Sequence, residues 1–357
     1  MNISEQGRFD SALLDALQRR FPLIREPYAQ IGEELGIIAE GVIARVKDLR
    51  ESGVIREIAG IFDAQALGYR QALVMMRVPE GKLDAAGAVV AGHPGVSHCY
   101  GRTGRYNLWF TLAVSPQSRL GLEGTVQLLA DRCAAEASAI LPTIKRYKLE
   151  VNFRNTEDGT RKTEHGMRKS ETGNLSPNSG FRAPDSEYRV PPLTDEQVRA
   201  IRALQIDLPA QIDPFSAVAA QVGMTADDLL VHAADFLSAG WMRRYAAVLH
   251  HRAAGAEANV LVAWQVAGDK ADAAGAACSA FPAVSHCYLR PPASDWPYAL
   301  YTMVHGRTGE ECSAAIARIA AAAGLDRREE LWTVTEYKKQ RIKLLTDDEA
   351  RWEAGAP

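Results

Sequence analysis

The stretch Val96-Ser97-His98-Cys99-Tyr100 decides the fold of this chain, because the same five residues return as Val284-Ser285-His286-Cys287-Tyr288. An arginine lies two positions after each copy, as Arg102 and Arg290. A pentapeptide that recurs half a chain apart indicates an internal duplication. We therefore expect two equivalent modules that bring the same surface into one molecule twice.

The segments before each copy have the same predicted order of three short helices and a strand. In the first half the predicted elements are residues 9–20, 27–35, 39–52 and the strand 54–62. In the second half they are residues 194–205, 214–222, 225–240 and the strand 242–251. Three helices with a tight turn, followed by a strand, are typical of a winged helix-turn-helix.

A second type of module follows each helical unit, with the order βαββαβ. The first copy is predicted over strand 72–78, helix 83–92, strands 96–102 and 106–114, helix 120–136 and strand 143–153. The second copy is predicted over strand 259–266, helix 271–281, strands 284–290 and 298–304, helix 310–323 and strand 331–342. This order predicts the ferredoxin-like arrangement, in which helices cover one face of an antiparallel sheet. The other face needs a ligand or a partner, and the two halves are expected to pair as an intrachain pseudo-dimer.

The predicted fold class is therefore α+β, a tandem duplication of a winged helix-turn-helix and a ferredoxin-like βαββαβ module. The predicted domains are 1–70 and 191–257 for the helix-turn-helix units, and 71–154 and 258–346 for the ferredoxin-like units. Residues 155–190 are polar and rich in Gly, Ser and Asn, which predicts a flexible linker.

Composition excludes several classes of protein. The hydrophobic content of 47% is ordinary for a globular protein, and the net charge of −3 gives no general attraction to nucleic acid. The sequence has neither a signal peptide nor a run of apolar residues long enough to cross a membrane, so no membrane partner is expected. Five cysteines without a CxxC pattern predict reduced thiols, and hence a cytoplasmic protein.

Side chains alternate along a strand, so Val96, His98, Tyr100 and Arg102 are predicted to share one face. The second copy places Val284, His286, Tyr288 and Arg290 together in the same way. The smaller Ser and Cys side chains suit the face under the helices, which leaves the His-Tyr-Arg stripe for the uncovered face. The stripe then either binds a ligand or packs between the halves. His98 and Cys99 point to opposite faces, so they do not form a metal-binding pair.

Aromatic residues on the neighbouring strands have the same two explanations. They stack on a flat conjugated ligand, or they form part of the core. The residues concerned are Tyr106, Trp109 and Phe110 in the first half and Trp296, Tyr298 and Tyr301 in the second.

The strand after the second helical unit is rich in basic residues. It carries Arg243, Arg244, His250, His251 and Arg252, whereas the first half has Arg56 and Glu57 at its start and Ala64 opposite His251. This difference predicts that one composite site is complete and the other degenerate. The alternative is a basic wing that contacts DNA phosphates.

The predicted recognition helices argue against DNA binding. No Lys or Arg occurs between Asp207 and Met242, so the second recognition helix has no side chain to neutralise phosphate. Its start is acidic, with Asp227 and Asp228, and the start of the first carries Glu40. We expect no DNA partner and interpret the helix-turn-helix as a scaffold.

At these residues the sequence resembles a known family. The domain order is similar to the Lrp/AsnC architecture. The duplicated VSHCY motif with its arginine, Tyr106-Asn107-Leu108-Trp109-Phe110, Trp296-Pro297-Tyr298 and Met303-Val304-His305-Gly306 resemble sirohaem decarboxylase, as does His251-Arg252 before Gly255. The resemblance covers the whole chain outside the linker, and therefore points to the fused NirDL-type form.

The resemblance implies a carboxy-lyase that converts sirohaem to 12,18-didecarboxysirohaem, on the route to haem d1 or haem b. A flat substrate with eight carboxylates fits arginine forks and aromatic surfaces. An imidazole is a suitable donor for the proton that replaces each CO2. The macrocycle can accept the electrons, so no separate cofactor is expected, and the sirohaem iron belongs to the substrate.

The implied roles divide the site residues into two groups. His98, His251 and His286 are the candidate catalytic residues, as proton donors or orienting groups, with ligation of the sirohaem iron by one of them as an alternative. The candidate substrate-binding residues are Arg56, Tyr100, Arg102, Trp109, Arg243, Arg244, Arg252, Tyr288 and Arg290. Arg105 and His305 are weaker candidates because neither has a match in the other half. His250 stands where the family pattern predicts arginine, so it receives no role.

Two other functions remain open from the sequence. A ligand-responsive Lrp/AsnC-type transcription regulator would use the same modules to sense a small molecule. A haem or sirohaem carrier would bind without turnover. The sequence leaves open whether the chain forms a further homo-oligomer or joins related decarboxylase subunits.

Overall fold

The protein was studied as a computed structural model that describes residues 3–149, 192–249, 258–293 and 295–355. The fold is α+β, as predicted. The predicted linker 155–190 lies outside the described residues, as do His250, His251 and Arg252.

The first half follows the predicted order up to its last helix and then differs. Its elements are α1 (Ile3–Arg19), α2 (Pro27–Leu35), α3 (Ala39–Glu51), β1 (Ile55–Phe62), β2 (Arg70–Arg77), α4 (Leu83–Ala91), β3 (Val96–Arg102), β4 (Leu108–Val114), α5 (Gly121–Arg132), β5 (Ala137–Pro142) and β6 (Lys145–Leu149). The helix predicted over 120–136 ends at Arg132, and the single strand predicted over 143–153 is replaced by two strands. β5 was missed because Ala137-Ser138-Ala139 has a composition that also suits a helix end.

The second half repeats the order and adds a C-terminal helix that was not predicted. Its elements are α6 (Asp195–Leu204), α7 (Pro214–Ala220), α8 (Ala226–Ser238), β7 (Met242–Leu249), β8 (Ala258–Trp264), α9 (Ala271–Ser279), β9 (Val284–Leu289), β10 (Leu300–Gly306), α10 (Gly309–Ala323), β11 (Arg328–Lys339) and α11 (Asp348–Ala354). Thr194, Thr225 and Thr308 accept a hydrogen bond from the first turns of α6, α8 and α10, which explains where these helices begin.

The two helix-turn-helix units pack together through one apolar core. Their strands β1 and β7 pair with each other antiparallel, so each half supplies one strand of a two-stranded sheet. The side chains of Tyr28, Phe215 and Tyr245 are buried in this shared core. An ion pair of 2.7 Å between Arg50 and Asp207 also joins the halves.

The ferredoxin-like modules form a nine-stranded sheet in which the last strand of each half crosses into the other. The strand order is β5-β2-β4-β3-β11-β8-β10-β9-β6. The first part of β11 pairs with β8 of its own half, and its second part pairs with β3 of the first half. In the same way β5 pairs with β2, whereas β6 pairs with β9 of the second half. The intrachain pseudo-dimer is therefore built by strand exchange.

Each exchanged strand is fixed by an aromatic ring on a helix glycine of the opposite module. The Tyr147 ring lies against Gly275 of α9, and the Tyr337 ring lies against Gly87 of α4, so closely that a Cβ on either glycine would be 2.5 Å from the ring. The next residue binds the same module, because Lys338 Nζ donates to the Ala91 carbonyl at 2.8 Å. These contacts make each helix layer depend on the other half of the chain.

The uncovered faces of the two modules meet, as predicted, and part of that meeting surface is an apolar core. Side chains from both halves fill it: Met75, Tyr106, Trp109, Leu141, Leu261, Ala263, Trp296, Tyr301 and Leu331. The remaining part of the surface carries the duplicated polar stripe. Within the described ranges, no helix is both long and apolar enough to span a membrane.

Candidate functional site

The duplicated motif lies on β3 and β9 and turns its polar residues away from the helices. Cys99 and Cys287 are fully buried beneath the helices of their own modules, whereas His98 and His286 lie on the opposite face. We call the polar part of this opposite face the interior face: His98, Tyr100, Arg102, His286, Tyr288, Arg290 and His305. The predicted alternation holds for the stripe from each histidine to its arginine.

The two valines that begin the motif do not join the stripe, contrary to the prediction. Val96 and Val284 are buried with the cysteines in the helix-covered cores. The pairing register shifts between Val96 and His98 against β4, and β10 shifts at the corresponding point against β9. Such a bulge inserts one residue and moves the preceding side chain to the other face.

Arg102 and Arg290 occupy equivalent, buried positions on the interior face. Arg102 Nη1 donates to the Leu331 carbonyl at 3.0 Å, and Arg290 Nη1 donates to the Leu141 carbonyl at 2.6 Å. Each guanidinium also lies about 5 Å from the centre of the tyrosine ring two residues earlier. Among the described residues neither arginine has a carboxylate partner, and both Nε atoms lack an acceptor.

Burial lowers the pKa of Arg102 and of Arg290 to about 10, so both guanidiniums are still charged at neutral pH. A buried cation without a counter-ion is costly, and an anionic ligand relieves that cost. The two arginines are therefore suited to hold carboxylates of a ligand that enters between the halves.

The two histidines of the motif are neutral in this environment. Burial, with lesser effects from Lys339, His286 and Arg56, lowers the pKa of His98 to about 4. Burial also lowers the pKa of His286. Each Nδ1 lies beside the hydroxyl of the preceding serine, at 3.0 Å for His98 and 2.7 Å for His286. A neutral imidazole with one nitrogen fixed this way presents the other for chemistry on the interior face.

His305, a weaker candidate, lies next to the His286 pair. Its Nε2 is 2.8 Å from Ser285 Oγ, so the same hydroxyl contacts two imidazoles. Burial lowers the pKa of His305 to about 4, with smaller effects from His286, Lys339 and Arg102. Ala113 occupies the equivalent position in the first half, because Ala113 and His305 donate matching backbone bonds to Gly95 and Ala283.

Arg56, Arg243 and Arg244, which were also predicted to bind the substrate, lie around the rim of the interior face. Arg56 is close enough to His98 to influence its pKa, and Arg243 has the same effect on Tyr288. Arg243 also forms an ion pair of 2.8 Å with Asp63. Arg244 is exposed, and with Arg56 it lies near the guanidinium of Arg341. The structure thus brings the basic strands of the helix-turn-helix units to the site.

The predicted aromatic surface is mostly core. Trp109 is 1% exposed and donates its Nε1–H to the Tyr106 carbonyl, so it packs between the halves instead of lining an open surface. Its role in substrate binding stays a prediction that this burial does not favour. Phe110 lies beneath the helices of its own module. Arg105 pairs with Asp295 at 3.1 Å, which joins the halves outside the stripe.

The exchanged strands supply site residues that sequence reasoning missed. Thr333 accepts from Arg102 at 3.0 Å, and its own hydroxyl donates to Asn259 at 2.7 Å. Glu336 lies beside Tyr100, and Arg146 lies at the equivalent position beside Tyr288. The repeated pair Tyr147-Lys148 and Tyr337-Lys338 is a sequence signal for this equivalence. No cluster of metal-binding side chains occurs in the part of the chain that the structure describes.

Comparisons with known proteins agree with this architecture. Residues 66–148 and 253–338 match the AsnC-like ligand binding domain family, and residues 10–56 match the "Siroheme decarboxylase NirDL-like HTH domain". The chain is 32% identical to "Siroheme decarboxylase" of Hydrogenobacter thermophilus over 97% of both chains. It is 34% identical to "Siroheme decarboxylase beta subunit" of Methanosarcina barkeri, over 41% of this chain and 97% of that protein.

A solved structure extends the likeness to three dimensions. It is described as "Crystal structure of the siroheme decarboxylase NirDL in co-complex with iron-uroporphyrin III analogue" and has 30% sequence identity to this chain. It superposes with a TM-score of 0.76 over 97% of both chains. The duplicated stripe, the paired helix-turn-helix units and these full-length matches lead to one conclusion: the chain belongs to the sirohaem decarboxylase family.

Proposed function

We propose that this chain is a carboxy-lyase that removes two acetate carboxyl groups from sirohaem to give 12,18-didecarboxysirohaem. The observation that carries the proposal is the pair of buried guanidiniums of Arg102 and Arg290, which lie beside neutral imidazoles and have no carboxylate partner among the described residues. The site combines anchors for a substrate with many carboxylates and groups that can hold a proton at neutral pH. Full-length similarity to a sirohaem decarboxylase supports the same reaction.

At each carboxyl group the protein must hold the carboxylate in place and supply one proton. The bond between the acetate CH2 carbon and its carboxylate carbon breaks, CO2 leaves, and its electron pair passes into the macrocycle. The CH2 carbon then takes one proton and becomes a methyl group. We assign the carboxylate anchoring to Arg102 and Arg290, with Arg56, Arg243 and Arg244 at the rim, and the proton supply to His286 and His98. His251 and Arg252 keep their predicted roles.

Tyr100 and Tyr288 are the proposed walls of the pocket. Each tyrosine ring stacks on the histidine two residues earlier and lies about 5 Å from the guanidinium of the arginine two residues later, at equivalent distances in both halves. Each ring therefore fixes the imidazole and the guanidinium relative to one another. No separate cofactor is proposed, because the substrate macrocycle is the electron acceptor.

Anaerobic incubation with sirohaem, followed by mass spectrometry, tests the reaction. We expect the loss of two carboxyl groups and the release of two CO2 molecules per sirohaem. Binding without any loss of mass would support a carrier and would contradict the enzyme.

A ligand-responsive transcription regulator is the alternative, and the structure gives an argument against it. Asp227, at the start of the second recognition helix α8, forms an ion pair of 2.8 Å with Arg25 of the first half. The N-terminal end of α8, which would contact bases in a DNA-binding protein, is therefore acidic and forms an ion pair with Arg25 instead. We propose no DNA partner, and expect no gel shift at low salt. We also propose a cytoplasmic location, and assembly with further copies or related subunits.

A further inference from the structure

The exchanged strands β11 and β6 place different side chains beside the two motif histidines. Lys339 of β11 lies opposite His98 in the strand pairing, and Leu149 of β6 lies opposite His286. The Cβ atoms of residues that oppose each other in paired strands are about 5 Å apart, and their side chains share one face of the sheet. One motif histidine therefore has a cation beside it, whereas the other has an apolar neighbour.

The local contacts of β11 show which way Lys339 points. The preceding residue, Lys338, lies opposite Cys99 and donates to the His93 carbonyl at 2.9 Å, on the helix-covered side. Neighbouring side chains of a strand point to opposite faces, so Lys339 turns to the interior face. Burial first, and the positive charge of Lys339 second, lower the pKa of His98, which agrees with an ammonium group close to that imidazole.

The difference between the modules is reversed at the tyrosines of the stripe. Glu336 lies opposite Tyr100, and Arg146 lies opposite Tyr288. The first module thus has a cation beside its histidine and an anion beside its tyrosine. The second has a leucine beside its histidine and a cation beside its tyrosine. A carboxylate of a ligand is therefore attracted to a different position in each module.

Both cations are accessible to a ligand. Lys339 and Arg146 are exposed, and neither forms an ion pair with a carboxylate of the described residues. In contrast, Lys145 of β6 pairs with Asp272 of α9 at 2.7 Å, on the helix-covered side. The exchanged strands therefore leave their unpaired charges on the face that carries the duplicated stripe.

The stripe of histidine, tyrosine and arginine is itself the same in both halves. By those residues alone an unsymmetrical ligand would bind equally well either way round, because both orientations would make the same contacts. Sirohaem is unsymmetrical, and only two of its eight carboxylates are removed in the proposed function, on which this inference rests. We propose that Lys339 and Arg146 are substrate-binding residues that fix the orientation of the macrocycle. Lys339 holds one carboxylate beside His98, and Arg146 holds another beside Tyr288.

The other two unequal residues disfavour the reversed orientation. If the macrocycle were reversed, its carboxylates would meet Glu336 in the first module and Leu149 in the second. It would lose both cations and gain one repulsion. Selectivity then comes from the free-energy difference between two orientations, to which repulsion contributes as much as attraction.

Proton NMR of iron(III) uroporphyrin III bound to the full chain counts the orientations. This probe is an unsymmetrical macrocycle with eight carboxylates, and its paramagnetic iron spreads the meso-proton resonances, so each orientation gives its own set. We expect one set to exceed the other about tenfold with the unaltered chain, and Lys339→Leu to lower this ratio about fivefold. Two equal sets with the unaltered chain overturn the proposal.

Two matched variants separate orientation from overall charge, and all the side chains they change are exposed. Lys145→Leu removes one positive charge from the helix-covered side of β6 and should leave the ratio unchanged. The combined exchange keeps the net charge and should favour the other orientation; it consists of Lys339→Leu, Leu149→Lys, Glu336→Arg and Arg146→Glu. An unchanged ratio after the exchange, or an equal effect of Lys145→Leu, overturns the proposal.

Decarboxylation of sirohaem gives a readout that a structural role would not change. The intermediate that has lost one carboxyl group is isolated after a quenched single turnover. We expect a single isomer from the unaltered chain, and a mixture of the 12- and 18-decarboxylated isomers from Lys339→Leu. The same single isomer from both contradicts the proposal. Absence of CO2 release by the unaltered chain would remove the proposed function, whereas the NMR ratios would still decide the orientation.

Discussion

The two halves of this molecule share a backbone and differ in the charges they place on the interior face. Both have the stripe of histidine, tyrosine and arginine, with matching serine contacts and stacking distances. Glu336 of the exchanged strand β11 lies beside Tyr100 of the first module, whereas Arg146 of the exchanged strand β6 lies beside Tyr288 of the second. Among the described residues of the interior face, the second half has two imidazoles, His286 and His305, and the first half has one, His98. The duplication explains the shared backbone, and a few substitutions explain why the charged and imidazole side chains differ between the halves.

The largest expected effect concerns the two motif histidines. We expect His286→Gln to lower the decarboxylation rate about 10²-fold or more, because the second half has the more basic rim and a second imidazole, His305, close to His286. His98→Gln should have a smaller effect, about tenfold. Single-turnover rates of both variants measure the difference. Equal losses would mean that the halves contribute equally.

The exchanged strands allow a stability comparison between the halves. Tyr147→Ala and Tyr337→Ala each remove a ring from a helix glycine and a hydrogen bond of 2.6 Å to Asp272 or Asp84. We expect each to lower the free energy of unfolding by about 2 kcal/mol, less than a fully buried ring would cost. Denaturant unfolding measures it, with Tyr147→Phe as the control that loses only the hydrogen bond. If only one of the two alanine variants has a lower free energy of unfolding, the two exchanged strands contribute unequally to stability.

Acid should destabilise the interior face. The pKa of His98 and of His305 is about 4 in the folded chain, below the ordinary value of 6.5, so the unfolded chain binds more protons between these pH values. The free energy of unfolding is expected to be fully maintained above about pH 6.5 and to fall as the pH is lowered towards 4. This fall is measured by the urea midpoints of the unaltered chain and of His98→Gln between pH 6.5 and 4. An equally steep fall in His98→Gln would exclude a contribution from His98.

The smallest effect is expected from the unequal charges beside the tyrosines. Glu336→Gln removes a negative charge next to an anionic ligand and should tighten sirohaem binding a few-fold, whereas Arg146→Gln should weaken it by a similar factor. Absorbance titrations at two salt concentrations measure both changes. The differences should shrink at high salt, and a change of the same sign in both variants would contradict this explanation.

The sequence predicted the fold well where a pattern is local. Helix caps, turn glycines and the repeated pentapeptide fixed the order of elements and the polar face of β3 and β9. The strand exchange was not predicted, because whether 145–149 pairs with its own module or with the other depends on long-range packing. The contact between the Tyr147 ring and Gly275 favours pairing with the other module, and local secondary-structure propensities contain no information about that contact.

The candidate site was predicted only in part, for the same physical reason. His98, Arg102, His286 and Arg290 were found because they repeat. Their alternation failed at Val96, where a bulge changes the face, and Trp109 was assigned to a surface that the second half covers. Residues such as Thr333 reach the site only through the exchanged strand.

The crossing of β6 and β11 also determines how this chain can assemble. Neither ferredoxin-like sheet is complete until the other half has folded beside it, so the two halves must acquire their structure as one cooperative unit. The peptide connection between them raises the local concentration of each half around the other. A chain cut within 155–190 would have to find its complement by diffusion, and its refolding would then depend on protein concentration, as for a heterodimer.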